Sequence, residues 1–193
     1  MNDISQIVGK ENLFAAQWLR LDLLHYVDHH GHERKWEAAQ RINSNGAVLI
    51  IAELRAAGEI VLIRQYRPPA DKYVIEFPAG LIDDNEAPPE TAVRELLEET
   101  GYHGTVTNVS LPGFNSPGMT GEIIYTVSME IDDSDYRNRE PVSRQEESED
   151  IETFLVRKAE LESFLINAAA KNCGIDSKVI TYAMGFIQKV TVL

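Results

Sequence analysis

The sequence predicts a mixed α/β fold, with a β-sheet sandwiched between helices. Three observations carry that expectation: short apolar runs split by turn residues, a central amphipathic helix framed by Pro88-Pro89 and Gly101, and two helical patterns closing the chain. At 193 residues the chain suits one sizeable core with a small appendage. We divide it into an N-terminal region, residues 1–44, and a main domain, residues 45–193.

Along the chain, residues 14–27 and 34–42 read as extended segments around Asp28-His29-His30-Gly31, an N-terminal antiparallel hairpin. Residues 47–54 and 60–65 are apolar runs split by Ala56-Ala57-Gly58, and 73–77 is a short strand ending at Pro78-Ala79-Gly80. A helix follows over 89–100. Pro88 and Pro89 suit a first turn whose N–H groups need no partner, and Gly101 suits a left-handed stop. Residues 105–109, 123–131 and 152–156 read as strands, with a polar, acidic loop over 132–150. Helices over 158–171 and 177–190 complete the pattern.

Composition narrows the function. No apolar stretch is long enough to span a bilayer and residues 1–10 lack a charged-then-apolar leader, so we expect a soluble, cytoplasmic protein without a membrane partner. The single cysteine, Cys173, cannot build a disulfide or a thiolate metal site alone and reads as packing. A formal charge of −13 argues against nucleic acid as a partner. An acidic protein that handles phosphates needs bound cations or a local basic patch. His29, His30 and His32 cluster in the hairpin turn without an ordered ligand spacing and read as an exposed turn.

On a wheel at about 100° per residue, the central helix puts Ala92, Val93, Leu96, Leu97 and Thr100 on one side and Glu95, Glu98 and Glu99 on the other. Glu95 and Glu99 repel at i,i+4, and acids near a helix C-terminus oppose its dipole. A divalent cation would reverse both penalties, and carboxylate oxygens are the hard ligands Mg²⁺ prefers.

A longer pattern encloses that face. Gly80, Glu86, Arg94, Glu95, Leu96, Glu98, Glu99, Gly101 and Tyr102 stand at spacings of five residues from Gly80 to Glu86 and seven from Glu86 to Arg94, followed by R-E-aliphatic-x-E-E-x-G-hydrophobic. From Gly80 to Tyr102 the chain resembles the Nudix family, which cleaves nucleoside diphosphates linked to another moiety. The resemblance implies a Nudix fold, Glu95 and Glu99 as principal ligands of Mg²⁺ or Mn²⁺, Glu98 assisting, and the Ala79 carbonyl joining them. Arg94 and Glu86 then look like the pair that holds loop and helix together.

Gln65-Tyr66-Arg67-Pro68-Pro69, Glu76-Phe77-Pro78-Ala79-Gly80-Leu81-Ile82-Asp83 and Pro117 are similar to the ADP-ribose pyrophosphatase branch. Gln17-Trp18-Leu19-Arg20-Leu21 and Lys35-Trp36-Glu37 with Arg41 are similar to animal ADP-sugar pyrophosphatases. That likeness implies a homodimer with exchanged N-terminal hairpins, in which Trp18 and Trp36 stack on adenine, one from each subunit. Indole faces suit base stacking, worth about 1–3 kcal/mol each. Glu37 matches an adenine- or ribose-reading position. Arg67 is the best candidate for a pyrophosphate clamp, since a guanidinium offers phosphate a permanent charged fork, with Arg41 second. Met119 and Glu122 receive no role.

The catalytic base comes from the late acidic loop in bacterial relatives, in a stretch similar to Glu147-Ser148-Glu149-Asp150-Ile151, and Glu147 or Glu149 fills it here. The expected reaction is Mg²⁺-dependent hydrolysis of the pyrophosphate of ADP-ribose, or of a similar ADP-sugar, to AMP and ribose 5-phosphate. GDP-mannose or another nucleoside diphosphate sugar is the nearest alternative substrate. A non-catalytic nucleotide-sensing module is the alternative of another class, disfavoured by the intact Glu95, Glu98 and Glu99 set.

Overall fold

The computed structural model describes residues 4–145 and 150–185. Three strands, β1 (Gln6–Ala15), β2 (Leu19–Val27) and β3 (Glu33–Arg41), form an antiparallel sheet of their own. β2 and β3 are the expected hairpin, with Val27 opposite Glu33. The Asp28 carboxylate accepts the backbone N–H groups of His30 and His32, both at 2.9 Å, so the side chain itself builds the turn. The expected first segment, 14–27, is broken. The Ala16 N–H bonds the Leu19 carbonyl at 2.8 Å, and the chain before it is an additional strand, β1. The polar run Gly9-Lys10-Glu11-Asn12 hides that strand from a reading based on apolar alternation.

The second sheet takes in β4 (Ala47–Leu54), β5 (Glu59–Arg67), β6 (Lys72–Glu76) and β7 (Ala79–Leu81). Helix α1 (Pro88–Thr100) follows, then β8 (Gly104–Val109), β9 (Gly113–Phe114), β10 (Ile123–Ile131) and β11 (Glu152–Arg157). The chain goes on through α2 (Leu161–Ala170), β12 (Gly174–Ile175) and α3 (Ser177–Met184). Strand order is β12-β6-β5-β4-β10-β8, with β11 beside β5, β7 beside β4 and β9 beside β10. β10 runs parallel to β4 and β12 parallel to β6; the other pairs are antiparallel.

Period-two alternation gives the sheet two buried faces. Val48, Ile50, Ala52 and Leu54 pack with Ala92 and Leu96 of α1. Leu49 and Ile51 face the other way, into a core with Leu161 and Leu165 of α2 and Val179 and Ala183 of α3. The sheet is therefore held between α1 and the two later helices, the mixed architecture the sequence predicts. Helix α2 starts later than expected, because residues Lys158–Glu160 form a 3₁₀ turn first. Of the expected final helix, residues 177–184 are helical and those beyond 185 lie outside the described residues. Among the described residues no helix is long and apolar enough to cross a membrane.

One departure from regular pairing positions the site. β4 meets β5 only at the tip of their hairpin, Glu53 with Ile60 and Leu54 with Glu59. At its other end β4 pairs with β7, and the Ile50 N–H bonds the Pro78 carbonyl at 2.8 Å. The two strands part, and residues 78–81 fill the split.

Helix α1 is bounded as its residues dictate. Pro88 and Pro89 open it, the Ala87 N–H donates to Glu90 Oε2 at 2.9 Å, and Gly101 closes it at φ 78° with its N–H on the Leu97 carbonyl. The wheel partition needs correction. Val93 is 44% exposed, whereas Glu99 is buried at 3% beside Ala92 and Leu96. At 100° per residue Glu99 falls within about 20° of Ala92, so it belongs to the inward face.

Gly101 allows no side chain: its φ is positive, and a Cβ there would stand 2.5 Å from the Val142 backbone nitrogen. Gly101→Ala is expected to lower unfolding free energy by more than about 1–2 kcal/mol, the penalty of a left-handed non-glycine residue alone. Urea denaturation monitored by circular dichroism checks it; a midpoint equal to wild type would refute the packing argument.

Candidate active site

Where β4 and β5 separate, a cavity of about 680 Å³ opens, with walls from both sides of the sheet and from the N-terminal sheet. Its acidic wall is α1. Arg94 organises that wall: Nε and Nη2 donate to Glu86 Oε1 and Oε2, both at 2.9 Å, and Nη1 donates to Glu95 Oε1 at 2.8 Å and Glu98 Oε2 at 3.1 Å. Nη2 also reaches the Leu81 carbonyl at 3.2 Å, fastening strand β7 to the helix. The fork from Arg94 holds the Glu86 carboxyl down to about 2, and Glu86 in turn holds Arg94 deeper in its protonated range.

Behind this network Glu99 Oε2 accepts the Ala79 N–H at 3.1 Å, tying the helix to the start of β7. Gly80 comes so close to α1 that a Cβ on it would lie 1.9 Å from the Glu95 carboxyl carbon. Glycine here is a condition of the Glu95 position. Among the described residues no three His, Cys, Asp or Glu side chains converge as a ready-made metal centre. Arg94 and the Ala79 N–H engage oxygens of the glutamates instead. The donor chemistry nevertheless fits a hard divalent ion: three carboxylates on one helix, beside a backbone segment that glycine lets approach.

The opposite wall carries Arg67, whose Nε and Nη2 close on Glu76 Oε1 and Oε2 at 2.8 Å each. That hydrogen-bonded fork, followed by the charge of Glu76, raises the Arg67 pKa against the cost of its burial. From the N-terminal sheet come Trp18, 69% exposed, and Arg41, whose Nε donates to Glu122 Oε1 at 2.6 Å. Glu122 Oε2 also accepts from Asn115 Nδ2 at 2.9 Å, so this carboxylate pins the loop between β9 and β10 to β3.

Of the residues singled out by sequence, Trp18, Arg41, Arg67, Ala79, Gly80, Arg94, Glu95 and Glu98 line this one cavity. Glu99 and Glu86 stand behind it as described. Trp36 and Glu37 are not on its walls: Trp36 Nε1 donates to the Gly118 carbonyl at 3.1 Å, and Glu37 lies on β3 opposite Leu23. Glu147 and Glu149 lie outside the described residues.

Sequence reasoning quoted Glu76 only as part of a family-like stretch, gave Glu122 no role and did not single out Asp176 or Lys178, all of which line the cavity. The charge of Glu76 inside an apolar strand was a usable signal, since a carboxylate there needs a partner. Asp176 caps α3 by accepting the Lys178 N–H at 2.7 Å, a role its place before Ser177 announces.

The NUDIX domain family model matches residues 44–172, and the chain belongs to the Nudix family. It is 36% identical over 180 residues to the ADP-ribose pyrophosphatase of Saccharomyces cerevisiae, covering 89% of this chain and 78% of that one. It is 31% identical over 186 residues to the ADP-sugar pyrophosphatase of Mus musculus, covering 92% and 85%. A solved structure described as an ADP compounds hydrolase shares the fold, with a TM-score of 0.71 at 19% identity over 95% of this chain and 91% of that one.

The Glu86–Arg94 fork sets a pH dependence. Because folding lowers the Glu86 pKa from 4.5 to about 2, ionised Glu86 stabilises the fold above about pH 4.5, and this contribution is lost as pH falls towards 2. Glu86→Gln is expected to be less stable than wild type at neutral pH, with the gap narrowing as pH falls from 4.5 to 2. Thermal melts across that range decide it; a constant gap would show that the fork contributes no linked charge.

Proposed function

We propose that the protein hydrolyses the pyrophosphate of ADP-ribose to AMP and ribose 5-phosphate, or that of a similar ADP-sugar to AMP and the sugar phosphate. One observation carries the reading: a single cavity joins the carboxylates of α1, the Arg67–Glu76 fork, Arg41 and an exposed indole, Trp18. Those are the partners of a divalent ion, a pyrophosphate and a base. The names of the yeast and mouse relatives support the choice of substrate.

In this reading Glu95, Glu98, Glu99 and the Ala79 carbonyl would hold Mg²⁺, or Mn²⁺ in its place. The bound ion would supply charge neutralisation and a more acidic water. Arg67, aimed by Glu76, offers Nη1 to a phosphate oxygen and stabilises charge on the group transferred. Trp18 takes one face of the adenine, and Trp36 of the partner subunit takes the other in a homodimer with exchanged N-terminal regions. Arg41 is a second contact to the pyrophosphate, and Glu37, next to Trp36 on β3, reads the adenine or ribose. Glu147 or Glu149 accepts the proton of the attacking water as the bridging P–O bond breaks.

The deciding measurement is AMP release at saturating Mg²⁺, with ADP-ribose and GDP-mannose at equal concentration. ADP-ribose is expected to be the better substrate, and Glu99→Gln to lose at least about 100-fold in turnover, the scale of losing a charged group in the transition state. Near wild-type turnover in Glu99→Gln would overturn the metal assignment, and tight binding without AMP release would make the protein a sensor instead.

Gly80→Ala tests the same wall without removing a ligand. The new Cβ must displace the Glu95 carboxylate. We expect kcat/KM to drop at least about tenfold, as misplaced catalytic groups do, while the melting temperature changes little. A fully active Gly80→Ala enzyme would show that Glu95 need not stand where it does.

A further inference from the structure

The four cations of the cavity are unequally engaged. Arg41 meets Glu122 at 2.6 Å, Arg67 meets both oxygens of Glu76 at 2.8 Å, and Arg94 is bonded to three glutamates at 2.8–3.1 Å. The Lys178 ammonium reaches Asp176 Oδ2 at 3.4 Å, well outside the span of about 2.7–2.9 Å at which charged N–H···O pairs are strong. Its side chain is nevertheless held, 32% exposed, against the cavity wall. The backbone explains why. β12 pairs with β6 through Gly174 and Ile175, the Asp176 N–H bonds the Ile75 carbonyl at 3.0 Å, and Asp176 caps α3 through the Lys178 N–H. The first turn of α3 is thus fixed to the strand that carries Glu76.

We propose that Lys178 is a pyrophosphate-binding residue, its ammonium exchanging the long contact with Asp176 for a phosphate oxygen of the substrate. The inference rests on reading this cavity as a nucleoside diphosphate sugar site. Carboxylates outnumber cations on the cavity walls, and Lys178 is the cation that gives up least on turning to an anion. The positive N-terminal end of α3 adds to the same field.

Lys178→Met keeps the aliphatic stem and removes the charge, and Lys178→Arg restores a cation. Dissociation constants for ADP and for adenosine separate a phosphate contact from a change in wall structure. Lys178→Met is expected to weaken ADP binding about tenfold or more, the usual scale for a charge-assisted hydrogen bond, and to raise KM for the sugar that wild type cleaves. Adenosine binding stays at the wild-type level, and Lys178→Arg recovers most of the ADP affinity. ADP binding within twofold of wild type in Lys178→Met would overturn the proposal, and so would a parallel loss of adenosine. If wild type releases no AMP from ADP-ribose, the substrate reading fails, while the ADP and adenosine constants still decide the role of Lys178.

Discussion

A single guanidinium holds the acidic wall in shape: Arg94 donates to both oxygens of Glu86, to Glu95, to Glu98 and to the Leu81 carbonyl. Like-charged carboxylates on adjacent turns would otherwise repel, and the partly buried ones would lose hydration without a substitute. Because the same group grips β7 and the loop after it, the geometry of Glu95 is coupled to the backbone path of residues 80–86. Gly80 completes the coupling from the strand side, since only a residue without a Cβ leaves the Glu95 carboxylate where it is.

The cavity exists because β4 cannot pair along its length with both β5 and β7. The parting of strands brings groups from distant parts of the chain to one place: α1 from one face of the sheet, α3 from the other, Arg67 and Glu76 from the ends of β5 and β6. The N-terminal sheet adds the third wall through Trp18 and Arg41. Its position depends on polar contacts across the chain, Arg41 with Glu122 and the Ala39 N–H with the Met119 carbonyl at 2.9 Å. The loop between β9 and β10 therefore sets where this third wall stands.

What was legible in the sequence follows from range. Helix α1 and its limits are local chemistry, written in Pro88, Pro89 and Gly101; β4 and β5 announce themselves by apolar runs, and β10 by apolar residues alternating with Thr126, Ser128 and Glu130. β7, β9 and β12 are two or three residues long and exist only because a neighbouring strand supplies the hydrogen bonds, so no local pattern marks them. In the site, the motif residues were readable because their spacing is fixed within one loop and one helix. The charge of Glu76 marked a need for a partner, but its place in the cavity and that of Lys178 were not readable, since they depend on β5, β6, β12 and α3 assembling first. Trp36 shows the converse: a recognisable residue whose indole serves the loop at Gly118 rather than the cavity wall.

Pairing also resolves how a chain of net charge −13 can accommodate a polyanion. The arginines of the cavity do not form a naked basic patch; each is already matched by a carboxylate, Arg41 by Glu122, Arg67 by Glu76, Arg94 by Glu86, Glu95 and Glu98. Such pairs orient the arginines but cancel much of their field, so a diphosphate entering alone would face more negative wall than positive. A cation at the glutamates would change that balance, neutralising the surplus and drawing on oxygens that Arg94 engages. On these electrostatics, occupancy of the acidic wall and affinity for the anion favour one another, because each charge lowers the cost of the other.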